Sequence, residues 1–230
     1  MNDACFTPAR WLRLCDALAV PPAHAARTRF ADLQAAYAEP QRHYHTAQHI
    51  GECLTLLDGV RDLPQGADAA RPGKARPGAA QPGAALNDPA LIEAALWLHD
   101  VVYDPQAKTN EAQSAALAAH WLAGALSEAR LQRLCRWIAA TQHHDAAPDD
   151  ADLQALLDID LAILAAPPAR FAEYEAQVAR EYAHVPADLF RQGRRAFLLS
   201  LGQRPRLYHH PAFLALEVPA RRNLAAAVAG

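Results

Sequence analysis

Ala94-Ala95-Leu96-Trp97-Leu98-His99-Asp100-Val101-Val102-Tyr103-Asp104 is an apolar, helix-like run that ends in a His-Asp pair. Titratable side chains are disfavoured in apolar surroundings unless they are paired or bind a metal. Ile92, Leu96, His99 and Val102 recur at three-to-four-residue spacing, which puts them on one helical stripe. His99 therefore stands where an apolar residue belongs. Asp100 follows about 100° further round an ideal helix. The two side chains diverge, yet a cation lying between them is within reach of both. Taken alone, the pair reads as a core histidine beside an aspartate that ends a helix. The remaining histidines and aspartates turn the reading towards a metal site.

Outward from this stretch, composition bounds the fold. The 230 residues suffice for one well-buried core without a second domain. Apolar residues make up 52% and charged residues 20%, a globular balance. Alanine is abundant, β-branched residues are sparse and the strong patterns have helical period, so an all-α protein is expected. A net charge of −3 gives no electrostatic case for nucleic acid as a partner. The four cysteines form no CxxC pair, which fits reduced thiols in a cytoplasmic protein. The N-terminus has no signal-peptide pattern, and no apolar run reaches the roughly 18 residues of a membrane helix.

Thr7-Pro8 starts a helix to about Ala19, and a second is expected near Arg27 to Ala38. Thr46 is the expected N-cap of a third, through about Val60. Asp88-Pro89 opens the helix that ends in His99-Asp100; further helices follow from Asn110 to about Leu126 and from Ser127 into Thr141-Gln142-His143-His144. Asp149 to Leu164 holds a short helix and the run Leu157-Asp158-Ile159-Asp160-Leu161; Pro168–Ala183 and Pro186–Leu201 complete the set, and Pro219 limits the helicity of the last apolar stretch. Repeated Pro-Gly triplets between 63 and 87 cannot hold a helix and have little to bury. That segment is expected to be a poorly ordered surface insertion within a single domain, residues 1–230.

The side chains able to hold a cation are, in order, His49, His99-Asp100 and an aspartate of the Asp158/Asp160 pair. Two imidazoles and two carboxylates suit a divalent Mn, Co, Mg, Fe or Zn ion and leave positions open for water and a phosphate oxygen. His45 and His49, four apart, offer an alternative zinc-type pairing on one helix face. Asp104 and Glu111 follow the His-Asp pair closely; Glu111 can orient the attacking water, or simply favour a helix start through the dipole. His143 and His144 are candidates for a substrate contact or a second metal, and Arg42, Arg194 and Arg221 for phosphate pairing through their forked donors. His209-His210 reads as a surface pair. No P-loop or Gly-rich dinucleotide fingerprint is present.

This order resembles the HD superfamily of predicted metal-dependent phosphohydrolases. The carrying stretches are Arg42-His43-Tyr44-His45-Thr46-Ala47-Gln48-His49-Ile50, Leu98-His99-Asp100-Val101-Val102-Tyr103-Asp104, Asn110-Glu111-Ala112-Gln113-Ser114-Ala115 and Leu157-Asp158-Ile159-Asp160-Leu161, with Glu217 and Ala220-Arg221-Arg222-Asn223-Leu224 near the end. Thr46 departs from the asparagine expected in this subgroup and touches a cap, not a ligand. The resemblance implies a single-domain HD-type helical bundle. It also implies a metal held by His49, His99, Asp100 and Asp160, with His45, Asp104 and Glu111 as catalytic candidates and Arg42, His143 and His144 towards substrate. The implied activity is a phosphomonoesterase or phosphodiesterase acting, by metal-activated water, on a small phosphorylated molecule such as a nucleotide. A di-iron HD-type oxygenase and a non-catalytic metal-binding protein are the alternatives, and a homo-oligomer stays open.

Overall fold

Thr7, Asp88, Ser127 and Asp150 each precede a helix, and each side chain accepts a hydrogen bond from a first-turn N–H, from Arg10, Leu91, Arg130 and Leu153 respectively. Pro8 and Pro89 follow two of these caps, where a missing N–H leaves nothing unpaired. A computed structural model describes residues 5–61, 85–145 and 147–229. Among these residues the chain is all-helical, without strands. The α-helices are α1 Pro8–Ala17, α2 Phe30–Ala36, α3 Ala47–Arg61, α4 Pro89–Leu98, α5 Asn110–Leu122, α6 Glu128–Ala140, α7 Ala151–Asp160, α8 Pro168–Glu181, α9 Ala187–Gln203 and α10 Glu217–Ala229. Short 3-10 turns cover Ala25–Thr28, Leu161–Ala165 and Pro211–Leu216. No described helix is long and apolar enough to cross a membrane.

The organising helix is α4. The expected stripe understates it, because every residue from Leu91 to Leu98 is buried. A helix that is apolar all round belongs in the middle of its neighbours, and α1, α3, α5, α6 and α7 pack around this one. Its one charge, Glu93, is paired: Arg10 Nε of α1 donates at 2.8 Å, and Arg61 of α3 joins it. The Arg10 guanidinium also grips Asp58 at 2.7 Å through two nitrogens, tying α1 to α3. The apolar core runs from Phe6 to Leu224.

Three boundaries differ from expectation. The second helix divides into the turn Ala25–Thr28 and α2. Helix α6 stops at Ala140, and His144 takes a left-handed backbone at φ 53°. Pro219 does not shorten the last helix; it sits in the first turn of α10, where no intrahelical bond is lost. The insertion at 63–87 lies outside the described residues except for its last three. There Asn87 N–H donates to Asp152 Oδ1 at 2.7 Å and Asp88 N–H to Oδ2 at 2.9 Å, so the fully buried Asp152 pins the chain where α4 begins.

Candidate metal centre

Three helices deliver the site. His49 comes from the first turns of α3, His99 caps the C-terminus of α4, Asp100 follows it, and Asp160 is the last residue of α7. His49 Nε2 lies 3.2 Å from His99 Nε2, 3.2 Å from Asp160 Oδ1 and 3.6 Å from Asp100 Oδ2. His99 Nε2 lies 3.0 Å from Asp100 Oδ2 and 3.5 Å from Asp160 Oδ1. His99 keeps helical dihedrals at φ −63° and ψ −35°, and its Nε2 still comes within 3.0 Å of Asp100 Oδ2.

The donor set fits a divalent cation. Ligand bonds of about 2.1 Å place neighbouring ligand atoms about 3.0 Å apart at right angles and about 3.4 Å apart at tetrahedral angles. The observed separations of 3.0 to 3.6 Å span both. His99 Nδ1 sits 3.1 Å from the Leu96 carbonyl. A carbonyl only accepts, so Nδ1 carries a proton and Nε2 is the nitrogen that titrates or binds metal. Burial works against a charge on His99, but Asp100 and Asp160 beside it draw the imidazole well above its ordinary value. Burial likewise opposes ionisation of the two carboxylates, yet the His99 charge holds both well below theirs. Without a cation, then, a proton on His99 offsets part of the paired negative charge, and a divalent ion would displace it.

The remaining sequence candidates fall into different places. Arg42 is not available for phosphate. Its side chain is fully buried, Nη1 donates to the Asp100 carbonyl at 2.6 Å and Nη2 to the Val101 carbonyl at 3.0 Å, and Nε bonds Glu39. It fixes the backbone that carries Asp100. His45 lines a cavity beside Asp160 and gives its Nδ1 to Glu181 Oε2 at 2.8 Å. Asp104 is exposed, and its Oδ1 accepts from Gln106 N–H in a turn. Glu111 is half-buried at the start of α5, and among the described residues it has no hydrogen bond or ion pair with the cluster. His143 is exposed, whereas His144 Nε2 lies 2.9 Å from Asp160 Oδ2. Arg194 is paired with Glu175, and Arg221 closes on Glu217 and on the Gly202 and Arg204 carbonyls. His210 is not on the surface: it is fully buried, and its Nδ1 accepts from Ala212 N–H at the start of the Pro211–Leu216 turn.

Asp158 and Asp160 separate cleanly. Asp158 faces away from the cluster and accepts from His209 N–H at 2.8 Å and His210 N–H at 2.7 Å. Glu181 is the group that sequence reading missed. Its Oε1 accepts the His43, Tyr44 and His45 N–H groups at 2.7 to 3.0 Å, and Tyr103 donates to Oε2 at 2.8 Å. Burial raises its pKa, but the His45 bond and these amides outweigh that and bring it down to about 2. Its signal lies in the α8 stripe Phe171, Tyr174, Val178, Glu181, where a carboxylate occupies an apolar position.

Two cavities meet at the cluster. One of about 520 Å³ reaches Asp160, His45 and His144, and one of about 300 Å³ reaches His49 and Asp160 from the other side. No protein-family model, curated protein or solved structure matches the chain.

Proposed function

We propose that the protein is a metal-dependent phosphohydrolase of HD type acting on a small phosphorylated substrate. The observation that carries this reading is that His49 and His99 each lie 3.0 to 3.6 Å from Asp100 and Asp160 and 3.2 Å from one another, beside an open cavity. A bound divalent cation supplies positive charge that lowers the pKa of water and offsets the charge of phosphoryl oxygens. The chain's own residues do the rest. His49 and His99 present their Nε2 atoms, and Asp100 and Asp160 supply the negative charge that favours a cation. Arg42 and Glu181 hold the two backbone segments that carry Asp100 and His45. His45, with Nδ1 committed to Glu181, has Nε2 left to protonate the leaving ester oxygen. In the reaction a water oxygen bonds to phosphorus and the P–O ester bond breaks; the departing alcohol takes the His45 Nε2 proton, and the proton released by the water returns to His45 through solvent. Asp104 and Glu111 have no role in this scheme.

A second reading has one specific observation in its favour. Asp160 Oδ1 faces His49 and His99 while Oδ2 faces His144, as a carboxylate bridging two cations would. This is the di-iron alternative, and metal count separates the two. The test is elemental analysis of the purified protein, then chelation, reloading with Mn, Co or Mg and assay with phosphomonoesters and phosphodiesters. One metal per chain and turnover lost in Asp160→Asn supports the hydrolase. Two irons per chain with oxygen consumption supports the oxygenase. Bound metal with no turnover in any form leaves the non-catalytic protein.

A further inference from the structure

The larger cavity has a sided chemistry. Its titratable end is formed by His45, His144 and Asp160. Its walls are Leu164, Val178, Tyr182, Phe190, Phe197 and Leu201. The one cationic side chain along it, Arg194, is neutralised by Glu175, with Nη2 to Oε1 at 2.5 Å, and lies over the Tyr174 ring at 4.9 Å. A second phosphate therefore finds no unpaired cation on these walls, whose side chains are apolar apart from the Tyr182 hydroxyl. The volume, about 520 Å³, is in the range of small-molecule sites. One polar group at the inner end is unused: the Tyr44 hydroxyl is buried and has no hydrogen-bond partner among the described residues. An uncompensated buried hydroxyl is expected to find a partner when a ligand is present.

We infer that the substrate is an organic phosphate monoester whose alcohol part is apolar, an aromatic ring or a short alkyl chain, with its phosphate at the metal cluster and its body along α9. This deepens the phosphohydrolase reading and rests on it. The outer wall carries exposed Phe197 and Leu189, apolar surface that an apolar body would cover. Gly193 supplies a clean probe. It lines the cavity from α9, and a Cβ added there would meet nothing within 4 Å. A leucine at this exposed position can intrude on the cavity from its rim, and it also favours the helix.

The experiment compares n-octyl phosphate with ethyl phosphate on manganese-loaded protein, two esters with matched leaving groups, by kcat/KM and by calorimetric binding. Octyl phosphate is expected to be preferred about 30-fold or more in wild type, through the apolar area it buries, and Gly193→Leu to remove most of that preference while metal content stays at the wild-type level. Equal kcat/KM for the two esters overturns the inference and leaves the hydrolase standing. No hydrolysis of either, with octyl phosphate still bound more tightly and Gly193→Leu abolishing the difference, overturns the hydrolase and supports the apolar subsite. A wild-type dimer that Gly193→Leu splits, without any effect on octyl phosphate binding, overturns the inference in favour of a second copy on this face.

Discussion

Two sets of carboxylates meet their partners in different ways. Asp152, Asp158 and Glu181 each accept hydrogen bonds from two or three backbone N–H groups of a segment distant in sequence. Asp100 and Asp160, among the described residues, accept none from backbone and face imidazoles instead. The first arrangement gives the carboxyl backbone partners within the fold and fixes a loop against a helix. The second concentrates negative charge with nothing of the backbone to offset it, so it calls for a proton or a cation. The first group is buried and the second slightly exposed, and the partners differ with it.

The sharpest break of this contrast lies two residues apart on α7. Asp160→Asn and His99→Ala are each expected to lose essentially all bound metal while keeping the helical circular dichroism spectrum, because the apolar packing of α4 does not depend on them. Asp158→Asn is expected to keep full metal occupancy. Elemental analysis with melting curves decides it. Metal lost with Asp158→Asn and kept with Asp160→Asn would reverse the assignment of the two aspartates.

Next in size is stability. Asp158→Ala leaves the His209 and His210 N–H groups without their acceptor. Each unsatisfied buried donor costs about 1–3 kcal/mol, so a total loss of about 3 kcal/mol is expected in chemical denaturation. A loss below about 0.5 kcal/mol would show that water replaces the carboxylate and that Asp158 is not an anchor.

The same two anchors set opposite pH slopes. Glu181, held at about 2 against an ordinary 4.5, contributes stability that is present above 4.5 and lost as pH falls towards 2. For Asp158, burial outweighs its two backbone bonds and pushes the carboxyl up to about 7 from 3.8. The folded chain then binds a proton there that the unfolded chain does not, so its contribution is full below 3.8 and is lost as pH rises to about 7. Glu181→Gln should flatten the acid limb of stability against pH, and Asp158→Asn the limb between 4 and 7. Unfolding midpoints across that range that keep both slopes in both variants would refute the linkage.

How much of this was legible in the chain follows from the range of each interaction. The all-helical fold and most helix starts follow from caps and periodicity, which are local. His49, His99 and Asp160 lie together, with Asp100 beside the two imidazoles, at positions far apart in the chain. The choice between Asp158 and Asp160 was not local: residues two apart at a helix end face different neighbours, and the amides that claim Asp158 lie about fifty residues later. Arg42 carried a forked donor suited to phosphate, and nothing near it in sequence announces the Asp100 and Val101 carbonyls that occupy it. Glu181 was readable only as an anomaly on an apolar stripe. His210 looked like half of a surface pair because its burial depends on how the loop after α9 folds back on α7.

The smallest expected effect concerns His144, whose imidazole faces Asp160 from outside the His49–His99 pair. A non-glycine residue at φ 53° is strained by about 1 kcal/mol. The position is held from both sides: its N–H bonds the Ala140 carbonyl at 2.9 Å, and Arg204 donates to the His143 and His144 carbonyls. The result is an imidazole 2.9 Å from Asp160 Oδ2, on the side away from His49. His144→Gly relieves the backbone and removes the ring, so the melting temperature should rise by about 2–4 °C while the metal dissociation constant rises about tenfold. His144→Asn tolerates the left-handed backbone, so it should leave the melting temperature near wild type with the same tenfold weakening. His144→Ala should weaken metal equally and also melt lower than the glycine variant. Metal affinity, titrated with a chelator, and melting temperature therefore move independently across the three. If all three keep wild-type affinity, the short contact to Asp160 is packing alone, and the bridging arrangement loses its second arm.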